Sequence, residues 1–150
     1  MAIRQILKLG ERQLREISKE VTVFDERLFV LLDDMKETML AANGVGLAAP
    51  QVGVLKRAVV VCVDGETFYE LINPRIVRQS GVQRNAEGCL SVPDRRADVE
   101  RPKKVVVAAL DRHGKPFTVR GSDYLAVAFC HEIDHLNGVL FIDKAADTGK

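Results

Sequence analysis

Cysteine is scarce in this 150-residue chain, with only Cys62, Cys89 and Cys130. So small and odd a number argues against a disulfide framework and fits a reducing compartment, where a thiolate stays free to hold a metal. An excess of one charge is also missing. Lys plus Arg number 22 against 21 for Asp plus Glu, a net +1, so neither nucleic acid nor an anionic membrane is expected as the main partner. Local basic residues such as Arg95, Arg96, Arg101, Lys103 and Lys104 still suit an anionic or peptide ligand. No apolar run approaches the ~20 residues that span a bilayer. The opening MAIRQILKLGERQLREISKE breaks into charge too early for a secretory signal. A cytoplasmic protein is expected. Repeats, low-complexity tracts and Pro/Gly/Ser linkers are absent, so 1–150 reads as a single domain.

What is present has clear periodicity. Residues 25–42, DERLFVLLDDMKETMLAA, place Leu28, Leu31, Leu32, Met35 and Met39 on one helical face. Asp25 is the expected N-cap and Asn43-Gly44 the stop. RAVVVCV (57–63), Asp64-Gly65-Glu66 and TFYELIN (67–73) read as a hairpin with a DG turn. KKVVVAAL (103–110), DRHGKP and FTVRG read as a second hairpin. Ser122 is placed to cap a helix from Asp123 to about Asn137, with Gly138 just beyond its end. The expected fold class is α+β: short antiparallel sheets around a central C-terminal helix, plus an N-terminal helix. No extended C-terminal helix is expected after LFIDKAADTGK.

The second helix carries FCHEIDHLNG, Phe129 to Gly138. Helical spacing puts His131 and His135 one above the other, with Glu132 beside them, which is how a helix offers two ligands to a metal and a base to its water. A third ligand is needed. Only 15 residues follow His135, with no His or Glu among them and only Asp143 and Asp147 as side-chain carboxylates. That closes the downstream routes of many HExxH peptidases. His113 sits at a hairpin tip and reads as a solvated turn residue. Cys62 lies in an apolar run and reads as a buried strand filler. Cys130 points ~100° away around the helix from His131. Cys89, in the Gly-containing stretch AEGCLSVP, is read as a loop residue, and loops bring side chains and backbone amides to a site together. Elimination leaves Cys89, His131 and His135 as metal ligands.

At this point the chain resembles the peptide deformylase family. GVGLAAPQ (Gly44 to Gln51), EGCLS (Glu87 to Ser91) and HEIDHLNG (His131 to Gly138) match that family's three motifs in order and spacing, and the likeness covers nearly the whole chain. The resemblance implies a metal-dependent hydrolase that removes the N-formyl group from the formyl-methionine of newly made proteins and releases formate. Glu132 is the expected base. The Gln51 side-chain amide and the Leu90 backbone N–H are the donors the family assigns to the oxyanion. Gly46 main chain is implied to pair edge-on with the extended substrate. Val45, Tyr124, Val127 and Ala128 are candidates to line a methionine pocket, and Arg96 to contact the peptide. Glu87 and Arg101 are expected to form an ion pair that holds the cysteine segment.

His₂Cys suits Zn²⁺ by softness and geometry. The family is associated natively with Fe²⁺, and Ni²⁺, Co²⁺ or Zn²⁺ can take the site. The substrates emerge at the ribosomal exit, which makes the ribosome a candidate partner; no specific nucleic acid and no membrane is expected. The chain departs from the family in Cys130, where Gln often stands, and the C-terminal helix of many relatives is not expected here. Two rivals remain at this stage: an HExxH metallopeptidase of another type, and a non-catalytic protein with a closed, four-ligand structural metal.

Overall fold

The apolar spacing of residues 25–42 produces α1, Glu26–Ala41, in the computed structural model, which describes residues 2–145. Asp25 caps it by accepting the Leu28 N–H at 3.3 Å, and Asn43 takes the left-handed conformation beyond its end, at φ 59°. Leu28, Leu31, Leu32, Met35 and Met39 are all buried.

Seven strands and a second helix follow. They are β1 (Gly46–Ala48), β2 (Ala58–Val61), β3 (Tyr69–Ser80), β4 (Gln83–Cys89), β5 (Val92–Arg101), β6 (Lys104–Leu110), β7 (Pro116–Ser122) and α2 (Tyr124–Leu136). Strands β1-β2-β3-β6-β7 form one sheet in that order, every neighbouring pair antiparallel, and β4 and β5 form a separate hairpin. The two expected hairpins are present. The first is wider than a two-residue DG turn, because 62–68 all lie between β2 and β3. Strand β3 also runs on past Asn73 to Ser80, pairing with β6 through two register shifts.

The main sheet is covered on both faces. Val59 and Val61 of β2 pack with α2, whereas Ala58 and Val60 pack with α1. A strand buried on both sides has no polar face, which is why AVVV is apolar throughout. On the α2 side, Phe129 is fully buried and meets Tyr69 edge-on at 5.3 Å. A Cβ on Gly121 would lie 2.9 Å from the Phe129 ring, so the glycine is what lets β7 close onto the helix.

Helix α2 begins at Tyr124 and its N-cap is Asp123, at φ 57° and with no side-chain cap bond. Ser122, expected as the cap, instead ends β7. Gly138 follows the helix at φ 74° as expected. A single 3-10 turn, Phe141–Asp143, is the last element among the described residues, and no helix follows it there. Asp147 lies outside the described residues. No helix among them is long and apolar enough to cross a membrane.

The N-terminal segment ties these pieces together by backbone bonds. The Leu7 N–H donates to the Gln51 carbonyl at 2.7 Å, Leu9 to Ser91 at 2.8 Å and Ser18 to Leu136 at 2.8 Å. Asn73, at φ 52°, holds the next turn of chain by donating to the Val21 carbonyl (3.0 Å) and accepting its N–H (2.8 Å). Truncating Phe129 to Ala should destabilise the fold by about 3–5 kcal/mol, since a large buried ring leaves a cavity. Urea unfolding reads this directly. A loss under about 1 kcal/mol would mean that α2 is not anchored through this ring.

Candidate active site

His131 and His135 project from one face of α2, ring centroids 5.0 Å apart. Cys89 reaches them from the end of β4, where the expectation of a loop residue is corrected. It is the last residue of that strand, and it pairs with Val92 across the tight turn at Leu90-Ser91. A turn this short fixes the sulfur more firmly than a long loop would. One ligand atom from each of Cys89, His131 and His135 lies within 4.8 Å of the others. The Cys89 Sγ is 3.3 Å from His135 Nε2.

Around this group the hydrogen bonding decides which atoms are free. His131 Nδ1 is 3.0 Å from Glu87 Oε1, so its Nε2 is the nitrogen left for the cluster. Glu87 also accepts from the Arg101 guanidinium at 2.8 and 2.9 Å, the expected ion pair. Arg101 further donates to Asp134 on α2 at 2.6 Å. Burial alone would raise the Glu87 carboxyl, but the bonds from Arg101 and His131 hold it down at about 2. Arg101 is pushed up for the reciprocal reason, against its own burial.

Burial disfavours a His131 imidazolium, but contact with Cys89, Glu132 and Glu87 outweighs it and pushes the ring up to about 10. Burial and repulsion from His131 push His135 well below its ordinary value. Glu132 is raised to about 7, first by burial. Its Oε1 is buried without a partner, and its Oε2 lies 4.0 Å from His131 Nε2. A cysteine sulfur and two imidazoles within one small space, with the Glu87 and Glu132 carboxylates beside them, are a donor set that a divalent cation fits.

Gln51 stands beside the sulfur, in the short 3-10 turn Ala49–Val52. Its Oε1 accepts the Ala48 N–H at 2.9 Å; its Nε2 donates to Ser91 Oγ at 3.0 Å and approaches Cys89 Sγ at 3.5 Å. The glycine spacing of GVGLAA has a steric cause. A Cβ on Gly46 would fall 2.5 Å from Glu132 Oε2, and one on Gly44 would fall 2.7 Å from the Leu90 side chain. The sequence suggests that Gly46 makes room for a substrate; in the fold it also makes room for Glu132.

A cleft of about 410 Å³ opens over this cluster. Val45, Gly46, Gln51, Leu90 and Arg96 line it from one side, and Tyr124, Val127, Ala128, His131 and Glu132 from α2. Val127 and Ala128 are buried, whereas Tyr124 is 55% exposed and stands at the rim. Arg96 donates to the Ala86 carbonyl at 3.3 Å and lies against Gly88. His135 is the one expected residue that does not line the cleft; it sits behind Cys89. Of the remaining Cys and His, His113 and Cys130 fall where expected, whereas Cys62, expected within a strand, lies just beyond one. His113 is exposed at its hairpin tip, Cys62 is buried just past β2, and Cys130 is buried in the α2 core. Sequence reasoning missed Ser91 and Asp134. Both belong to motifs that it quoted, EGCLS and HEIDH, but a hydroxyl and a carboxylate carry no mark of their partners.

The chain matches the family described as polypeptide deformylase over residues 3–150. It is 61% identical to a peptide deformylase of Acetivibrio thermocellus over 96% of this chain and 84% of that one. It is 53% identical to peptide deformylase 1 of Clostridium acetobutylicum over 99% and 98%. Its fold superposes on the peptide deformylase of Thermotoga maritima with a TM-score of 0.93 at 40% identity, covering 97% of this chain and 99% of that one. The crystal structure of a peptide deformylase from Legionella pneumophila also gives 0.93, at 49% identity over 96% and 86%. The rival reading as another kind of HExxH peptidase finds no support in these likenesses. A cleft with Glu132 in it, a soft three-ligand cluster beneath it and this extent of identity lead to one statement: the chain belongs to the polypeptide deformylase family, metal-dependent hydrolases that remove the N-formyl group from nascent chains.

Proposed function

We propose that this chain, acting as one domain over 1–150, hydrolyses the formyl amide of formyl-methionine at the start of newly made proteins. The observation that supports this most is the meeting of Cys89 from β4 with His131 and His135 from α2, next to Glu132 and Gln51. Cys89, His131 and His135 are the residues that hold the metal. A divalent ion held there supplies a Lewis acid that makes water nucleophilic near neutral pH.

The chain's own groups do the rest. The formyl carbonyl oxygen accepts from the Gln51 Nε2–H and the Leu90 backbone N–H, which are fixed in place before negative charge develops on that oxygen. Glu132 takes the proton of the attacking water and delivers it to the departing amine as the C–N bond breaks, leaving formate and a free methionine amino group. Its carboxyl, raised by burial to about 7, suits a group that must both accept and return a proton near neutral pH. Val45, Val127 and Ala128 receive the methionine side chain, with Tyr124 at the rim. Gly46 main chain and Arg96 hold the extended peptide that follows. Strand-like pairing reads shape and not sequence, as an enzyme acting on many proteins requires.

Fe²⁺ is the ion we assign natively, with Zn²⁺, Ni²⁺ or Co²⁺ able to replace it. We place the enzyme in the cytoplasm, with the ribosome as a candidate partner because its substrates emerge there.

Three outcomes test these assignments. Glu132→Gln should keep its metal and lose about 10²–10⁴-fold in kcat for formate release from formyl-Met-Ala-Ser; wild-type turnover in this variant would remove Glu132 from the chemistry. Cys89→Ala should fail to retain metal on dialysis, and metal analysis showing a full equivalent would overturn the ligand set. Chelation should stop formate release, and anaerobic Fe²⁺ should restore it. Full oxygen-stable activity with zinc alone would defeat the iron assignment.

A further inference from the structure

We propose that the Ser91 hydroxyl is a positioning group for Gln51, holding the carboxamide so that one chosen proton faces the substrate oxygen. The inference rests on the reading of Gln51 as an oxyanion donor. The Gln51 side chain is 1% exposed. Its Oε1 accepts the Ala48 N–H at 2.9 Å. A backbone N–H needs an acceptor, so the oxygen must face Ala48 and the NH₂ must face the other way. That NH₂ has two protons. One goes to Ser91 Oγ at 3.0 Å, and the other is directed at Cys89 Sγ, 3.5 Å away, in the cleft that Gln51 and Cys89 both line and where the substrate oxygen would arrive.

The terminal torsion of a glutamine is intrinsically broad. With only the Ala48 bond, the amide could swing about that contact, and its second proton would sweep across the site. A second bond from Nε2 fixes the plane. Ser91 is well suited to supply it, because it is fully buried and its own carbonyl is anchored by the Leu9 N–H at 2.8 Å. Leu7, two residues earlier, donates to the Gln51 carbonyl at 2.7 Å. One short piece of the N-terminal segment therefore sets the spacing between the two backbones, and the side-chain bond joins them inside the site.

The test is a cycle of Ser91→Ala, Gln51→Ala and the double variant, each assayed for kcat, KM, metal content and thermal melting. Gln51→Ala should lose about 10²–10³-fold in kcat, the usual cost of one oxyanion donor. Ser91→Ala should lose about tenfold in kcat, the order of one hydrogen bond, with KM and metal content unchanged. The double variant should be no slower than Gln51→Ala, because Ser91 acts only through the amide. Ser91→Thr, which keeps the oxygen, should recover most of the rate. A wild-type kcat in Gln51→Ala overturns both the donor reading and this proposal. A slow Gln51→Ala together with an unaffected Ser91→Ala, an additive double variant or a loss that follows missing metal overturns the Ser91 proposal alone. A metal-loaded crystal structure of the wild type needs no variant to fold: Nε2 should remain within hydrogen-bonding distance of Ser91 Oγ, and a carboxamide turned away from it overturns the proposal.

Discussion

A carboxylate buried between a guanidinium and an imidazole joins the two halves of this active site. Glu87 belongs to the β4–β5 hairpin, as do Arg101 and Cys89; His131 and Asp134 belong to α2. Arg101 is 4% exposed and faces Glu87 and Asp134 at once, and Glu87 spends its second contact on His131. Buried charges are tolerated when every partner is present, and removing one partner leaves the others unpaired in a poor solvent, at a cost of about 3–5 kcal/mol. The hairpin cannot slide along the helix without breaking this set. A sulfur on one element and two imidazoles on another therefore keep a fixed separation, although few main-chain bonds connect them. The Glu87 bond also settles the orientation of the His131 ring, which turns its remaining nitrogen toward the sulfur.

Steric exclusion completes what the ion pairs begin. Glu132 is held in a nearly dry place, and the strand opposite it has no side chain to spare: Gly46 leaves only enough room for the carboxylate. The same closeness removes water, and the missing water is what raises the Glu132 carboxyl toward neutrality. Geometry and acidity at this residue have one cause. The approach of β1 to α2 is possible because the sheet is sandwiched, with α1 pressing on one face and α2 on the other.

Periodicity made part of the fold legible in advance. α1 announced itself through Leu28, Leu31, Leu32, Met35 and Met39, and β2 and β6 through unbroken β-branched runs. The β4–β5 hairpin was not legible. QRNAEGC buries only Glu87, so no alternation of apolar and polar residues marks the strand; the hairpin is held by the Glu87–Arg101 pair and by the apolar cluster of Val92, Val99, Leu140 and Phe141. The site was legible to the extent that residue chemistry is rare: two histidines at helical spacing, one glutamate, and few cysteines to choose among. Ser91 and Asp134 were not, because a common polar residue acquires a role only from what tertiary structure brings within 3 Å of it. Glycines lay between these cases. Their positions could be read, but the reason for Gly46 needed the Glu132 side chain in view.

Cys130 shows how strictly the helix separates neighbouring residues. It adjoins His131 in sequence and would be a competing soft ligand if it shared that face. A step of ~100° per residue sends it into the apolar cluster under the sheet instead, together with Phe129 and Ile133. Burial there pushes its thiol up to about 11. A buried thiol that resists losing its proton is a poor nucleophile, and this one lies among apolar side chains rather than beside His131 and His135. The position therefore accepts a small apolar-like side chain without disturbing the three-ligand cluster one residue away. The face of the helix decides which sulfur can join the two imidazoles, and of the three cysteines only Cys89, arriving from another element, lies beside them.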